Sequence, residues 1–275
     1  MRYLGRFVAY IVLLIGLFVV LTPFIYMVLT SLKENAFSLP RPSEVFDIAF
    51  SFENYVDAWS RNHFARYFLN SVFVACTSTL FALLFSSMTA FAFARFDFPL
   101  KEKLFKLFLF TMMVPGLLNI IPQFTVLKSL GLVDTYSGLL LIYVGAGIAG
   151  NTFFLRGFFE RIPKDLDESV VIDGGGRWTV YRHIYLPLSK PSLATLGIFT
   201  FTAAWDEFFV ALTLIKSEEK RTLPIALQLF QGQHATEWGL FFAASIIAII
   251  PIIVIFVIFQ KQFVQSSTGE GALKG

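Results

Sequence analysis

Two carboxylates stand where lipid should be. Asp206 and Glu207 are the only charges in the apolar run Pro191–Ile215, and each ionised acid at the centre of a spanning helix costs about 2.5–3.5 kcal/mol. Eleven Leu, Ile, Phe and Val side chains between Leu193 and Ile215 return roughly 0.3–0.6 kcal/mol each, so this span is marginal alone and needs partners. Such a pair of acids could relay a proton or cation, line a translocation pathway, or meet a partner helix. It could also mark a structural break where the acids find backbone or water. Adjacent helical positions point about 100° apart, which suits two separate partners better than one shared proton. Asn119 and Gln123 are a second polar pair. Four residues apart in another apolar run, they share a helix face and could border a polar pathway.

Little else in the sequence suggests reactive chemistry. His63, His183 and His234 lack metal-ligand spacing, and the lone Cys76 cannot form an intrachain disulfide. No G-x-x-x-x-G-K-[ST] phosphate loop is present, so the chain is not itself a recognisable P-loop ATPase. Zinc-protease and serine-nucleophile signatures are absent too. Net charge is only +3, with no basic cluster interleaved with aromatics, which argues against nucleic acid as a partner.

The elements that must hold these groups are membrane helices. Hydrophobic residues make up 56% of the chain and charged residues 15%, with mean hydropathy +0.69; soluble domains carry about 25% charged residues. Apolar runs at about 7–30, 70–94, 107–127, 135–155, 191–215 and 238–260 each reach the ~20 residues needed to cross the hydrocarbon. The first is too long for a signal-peptide apolar region of about 7–15 residues and stays as a span. The expected fold is an all-α membrane protein, a single six-helix transmembrane bundle over residues 1–275.

Basic residues orient it. With the N-terminus inside, 14 of the 22 Lys and Arg fall on cytoplasmic segments and 8 on longer outer loops, which places both termini in the cytoplasm. Phe52, Tyr55, Val56, Trp59, Phe64, Tyr67 and Phe68 fall near helical spacing and predict one amphipathic helix on the outer face.

One polar block, Pro163–Pro187 with the sequence PKDLDESVVIDGGGRWTVYRHIYLP, lies between two apolar runs on the cytoplasmic side. Pro163 suits a first helical turn, Lys164 to Asp173 can form a short helix, and Gly174-Gly175-Gly176 end it where φ > 0 is needed. A second short helix, Arg177 to Ile184, then runs into Pro187. Two short helices around a glycine turn make a knob that another protein's groove could hold, or an ordinary cytoplasmic loop.

The spacing Glu168-Ser169-Val170, three residues, Gly174, nine residues, Ile184, one residue, Leu186-Pro187 resembles the signature loop of ABC-importer permeases. That family's consensus opens Glu-Ala-Ala, so the small-residue positions are only partly kept. The resemblance extends to Trp205-Asp206-Glu207-Phe208 and to the tail Gly269-Glu270-Gly271-Ala272-Leu273-Lys274-Gly275, covers most of the chain, and points to the maltose-type sugar-importer branch.

The resemblance implies a coupling-helix loop that docks on an ATPase through Glu168, Ser169, Val170, Asp173, Gly174, Ile184, Leu186 and Pro187. Glu168 would meet a cationic residue of the ATPase, Gly174 would permit the turn, and Ile184 and Leu186 would pack the second helix onto the spans. It also implies a second permease subunit, two ATPase subunits, an extracytoplasmic solute-binding protein facing Gln231, Gly232 and Gln233, and a lipid environment in a bacterial or archaeal inner membrane. ATP and Mg would be bound by the ATPase, leaving no cofactor in this chain. Glycerol-phosphate importers have similar permeases. The competing reading from the acids alone is an ion-coupled carrier with Asp206 and Glu207 as relay, and an intramembrane hydrolase is more distant. The Pro163–Pro187 loop discriminates, because a carrier has no need of a docking knob.

Overall fold

The computed structural model describes residues 2–33, 39, 41, 50–230 and 237–267. Among the described residues every long element is a helix. In chain order these are α1 (Arg2–Ser31), α2 (Glu53–Ser60), α3 (Phe64–Arg95), α4 (Lys101–Thr111), α5 (Ile120–Ser129), α6 (Tyr136–Phe159), α7 (Asp165–Ile172) and α8 (Arg177–Val180). There follow α9 (Leu186–Leu188), α10 (Lys190–Trp205), α11 (Phe209–Leu214), α12 (Leu223–Phe230) and α13 (Trp238–Ser267). By contacts the chain forms two compact units, residues 1–66 with 225–250, and residues 67–224 with 251–275.

Helices α1, α3, α6 and α13 are each long and apolar enough to cross a membrane. The other two expected spans are not continuous helices. In the run 107–127, α4 stops at Thr111 and a segment Gly116–Ser129 continues at a 95° bend. Pro115 explains the break, since it has no N–H to donate and its ring would clash with the carbonyl of residue 111. In the run 191–215, α10 ends at Trp205 and α11 restarts at Phe209. Asp206 and Glu207 fall in the gap. A six-span count therefore holds only with these two broken segments counted as spans.

In the first unit, α1 is apolar all round, and none of its spanning window is buried; such a helix belongs against lipid or another chain. Its C-terminal end is fastened by α2. Asn54 Nδ2 donates to the carbonyls of Ser31 and Lys33, both at 2.9 Å, and the Ser31 hydroxyl pairs with Tyr55 Oη at 2.7 Å. These bonds satisfy carbonyls that a helix end leaves open. The predicted single aromatic helix is in fact two elements: α2 ends at Ser60, His63 adopts φ +57°, and α3 starts at Phe64. Phe64 is buried in the first turn of that spanning helix, while Phe52, Val56 and Trp59 of the α2 region stay exposed.

In the second unit, α3, α6, the segment around α8 and α10 converge on one core. Ala90, Phe91, Leu155, Phe159, Tyr181 and Tyr185 are among its buried members. Across the middle of the spans, Asn151 on α6 donates to Thr200 on α10 at 3.0 Å. On the opposite side from the core, Asp134 ties the α5–α6 turn to the segment after α11, accepting from the amides of Lys216 (3.0 Å) and Ser217 (2.9 Å) and from the Ser217 hydroxyl.

Candidate functional site

The polar block forms two helical pieces around a glycine turn, as its residues predict for the first piece but not for the second. Helix α7 begins after Lys164 and carries Asp165, Asp167 and Glu168 in its first turn, where acids complement the amide end of the helix. It closes in a Schellman arrangement. Gly174 N–H donates to Val171 O at 3.0 Å and Gly175 N–H to Val170 O at 2.8 Å, with Gly174 at φ +80°. Only Gly174 of the three glycines needs positive φ. Gly175 is required for a different reason: a Cβ there would lie 2.5 Å from Val170 Cγ1 and 2.9 Å from the Val170 carbonyl oxygen.

The second piece does not stop at Pro187. After α8 the chain widens into a π turn over Tyr181–Tyr185, then runs through α9 and almost directly into α10. Leu186 N–H donates to Tyr181 O, five residues back. Pro187 cannot donate to His183 O and would crowd it in an α-helical turn; the wider turn relieves that conflict and lets the helix carry on. Ile184 and Leu186 pack against the core where α3, α6 and α10 meet, with Val170 of α7 beside them.

Other residues of the block face outward. Glu168, Ser169, Asp173 and Pro187 are exposed, and the Glu168 carboxylate makes no hydrogen bond or ion pair among the described residues. Leu166, Val171, Ile172 and Trp178 of the same block expose apolar surface, Ile172 by 84%. Exposed apolar side chains and an unpaired carboxylate on one short helix leave a surface open to contact with another protein.

Beneath this face lies a buried ionic group. Asp167, one residue before Glu168, points inward and is 7% exposed. Tyr185 Oη donates to both its oxygens, at 2.8 and 3.1 Å, and Arg95 Nε lies 3.5 Å from Oδ2. Arg95 ends α3; its Nη2 donates to the carbonyls of Phe159 (3.1 Å) and Ile162, and its guanidinium sits 5.1 Å from the centre of the Tyr185 ring. Burial first, and then the hydrogen bond to Asp167, push the Tyr185 phenol above its ordinary range, so it stays a donor. Sequence reasoning missed all three residues. In the sequence Arg95 counts only among the cytoplasmic basic residues, and neither Asp167 nor Tyr185 stands out from its neighbours.

The membrane acids differ in their surroundings, but they do so in the break between α10 and α11 rather than as adjacent positions on one helix. Glu207 Oε1 accepts from the Val210 amide at 2.7 Å, and Oε2 from the Ala211 amide at 3.0 Å and from Tyr143 Oη at 2.7 Å. It therefore caps α11 and ties it to α6. Asp206 terminates α10 and is exposed, and its carboxylate makes no hydrogen bond or ion pair among the described residues. Glu207 also borders a cavity of about 390 Å³ with Tyr143, Asn151, Phe199 and Thr200. Asp206 does not line it. Asn119 precedes α5 as its cap residue rather than sharing a continuous helix with Gln123; both are half-buried, and neither side chain hydrogen-bonds among the described residues. Gln231, Gly232, Gln233 and the tail 269–275 lie outside the described residues.

Residues 82–268 match the family described as binding-protein-dependent transport system inner membrane component. The trehalose/maltose transport system permease protein MalG of Thermococcus litoralis is 37% identical over 265 residues, 93% of this chain and 92% of that protein. The sulfoquinovosyl glycerol transport system permease protein SmoH of Agrobacterium fabrum is 35% identical over 271 residues, 98% and 93% of the two. A crystal structure of a bacterial ABC transporter involved in import of the acidic polysaccharide alginate contains a chain of the same fold, with TM-score 0.83 at 24% identity over 95% of this chain and 97% of that one. This chain belongs to the binding-protein-dependent transport system inner membrane component family.

Proposed function

We propose that the chain is the membrane-spanning permease subunit of an ATP-driven importer for a sugar or oligosaccharide delivered by an extracytoplasmic binding protein. The observation that carries this is the face of α7: an unpaired Glu168 among exposed Leu166, Val171 and Ile172, on a helix fastened from behind to the spans. A groove on a separate ATPase takes that face, with a basic residue opposite Glu168. Two ATPase subunits bind ATP and Mg, a second permease completes the pathway, and both termini lie in the cytoplasm. Relatives named for trehalose, maltose and sulfoquinovosyl glycerol support the solute class. Against the ion-coupled alternative, the three hydrogen bonds that Glu207 accepts support a capping role for that acid.

ATP-driven closure of the ATPase pair moves α7, and the spans change between inward- and outward-facing states. Docking affects that equilibrium only through a difference in affinity between the two states. Glu168→Lys tests the reading. The charge reversal sets like charges together at the contact and should abolish ATPase co-purification while the permease keeps its yield and thermal stability. Unchanged co-purification would show that α7 is not the docking element.

A further inference from the structure

The docking face of α7 is solvent-exposed, yet the helix has a second side that is largely buried. Four chain segments meet there at one cation. Arg95 comes from the end of α3, and its side chain is 3% exposed. It holds the last carbonyls of α6 and its following turn through Phe159 and Ile162, the Asp167 carboxylate of α7, and the Tyr185 ring of the π turn. The direct Arg95–Asp167 contact, at 3.5 Å, is longer than a hydrogen bond, so Tyr185 is the group that closes the network by donating to both carboxylate oxygens. One turn earlier Tyr181 Oη pairs with the Ser87 hydroxyl of α3 at 2.8 Å.

Such a group resists sliding. An apolar contact can shift by a side-chain width at small cost, whereas separating a buried ion pair leaves uncompensated charge away from water. A displacement of α7 therefore either carries the ends of α3 and α6 with it or has to break the pair. Hydrophobic packing of Val170, Ile184 and Leu186 alone would not enforce this.

We propose that Arg95, Asp167 and Tyr185 are positioning residues that join α7 to the inner ends of α3 and α6, so that motion imposed on the docking face is delivered to the spans. The inference rests on the ATPase-docking reading above. It assigns docking and transmission to adjacent residues on different faces of α7, about 100° apart. Glu168 acts on association with the ATPase, and Asp167 acts on what that association moves.

In a Cys76→Ser background, Asp97→Cys in the exposed α3–α4 turn is a reporter for the test, and this single-cysteine protein serves as the parent. The complex is purified with its ATPase, reconstituted in proteoliposomes, and treated with a membrane-permeant maleimide, without nucleotide or with ATP, Mg and vanadate. The peptide carrying the new cysteine is followed by mass spectrometry. In the parent, nucleotide changes its alkylation rate. Asp167→Asn, which keeps the shape and removes the charge, keeps the ATPase bound but loses that change; Asp167→Glu restores it. A role in folding alone would lower the yield of complex and leave the response of the assembled complex as in the parent. Should Asp167→Asn not assemble, Tyr185→Phe removes only the bridging hydroxyl and is predicted to show the same loss. A full nucleotide response in variants that retain the ATPase overturns the joint, as does a parent complex whose α3–α4 turn gives no response. An ATPase that fails to co-purify with the parent overturns the docking reading instead.

Discussion

Tyr143 on α6 donates a 2.7 Å hydrogen bond to Glu207, and the same carboxylate accepts the amides of Val210 and Ala211 at the start of α11. A charge in mid-span is tolerable here because the break in the helix supplies the donors that hold it. Glu207→Ala removes all three bonds and leaves two helix amides without a partner. At about 1.5–3 kcal/mol for each hydrogen bond to a charged group, losing three should cost more than about 3 kcal/mol even after water takes up part of the loss. Thermal unfolding in detergent should show a clearly lowered midpoint. Asp206→Asn, at a carboxylate with no protein partner among the described residues, should leave both midpoint and uptake close to the parent. Equal effects of the two substitutions would contradict the separate roles of the two acids.

The glycine turn makes a second prediction. Gly174→Ala forces a side chain into positive φ, at about 1–2 kcal/mol, while Gly175→Ala drives a methyl group into the Val170 carbonyl. Both should weaken ATPase co-purification, and Gly176→Ala, at φ −90°, should not. The check is the ATPase-to-permease ratio after affinity purification. A defect in Gly176→Ala equal to the other two would show that the Schellman turn is not what matters.

These sites differ in how legible they were. The Gly174 turn could be read because a helix that must stop before φ > 0 leaves glycine as its local signal. The apolar runs gave the spans for the same reason: lipid acts on each segment separately. The breaks at Thr111 and Trp205 were partly legible, since Pro115 and the two acids were visible, but hydropathy averages over a kink. The continuation through Pro187 was hidden because a π turn depends on what the widened backbone packs against. The Arg95–Asp167–Tyr185 group was not legible at all. Its members are distant in sequence, and exposed and buried acids look alike until the tertiary contact is formed.

Asp134 yields a pH prediction. Hydrogen bonds from the Ser217 hydroxyl and amide, then the Lys216 amide and the Lys220 ammonium, hold its carboxyl well below the usual range despite the opposing effect of burial. A depressed folded value contributes stability that is fully present above the unfolded value of about 3.9 and is lost as pH falls through the folded one. Protease cleavage in the segment 216–222 should be unchanged from pH 7 to 5 and rise below about pH 4. Asp134→Asn should be cleaved at pH 7 as the parent is in acid. Identical cleavage of variant and parent at every pH would remove Asp134 as the latch.

Orientation is tested by labelling. In a Cys76→Ser background, Asp97→Cys in the exposed α3–α4 turn should be protected from an impermeant thiol reagent in intact cells, and Glu219→Cys should react. The reverse pattern would invert the topology.

The central claim is that an external ATPase, not an ion gradient, drives transport through this chain. Uptake of a sugar that the binding protein holds is measured in proteoliposomes with the full complex, the binding protein on one side, ATP and Mg on the ATPase side, and an uncoupler present. The account predicts uptake that requires ATP, ignores the uncoupler and survives Asp206→Asn. Uptake that collapses with the uncoupler, or proceeds without ATP on an imposed ion gradient, would contradict it.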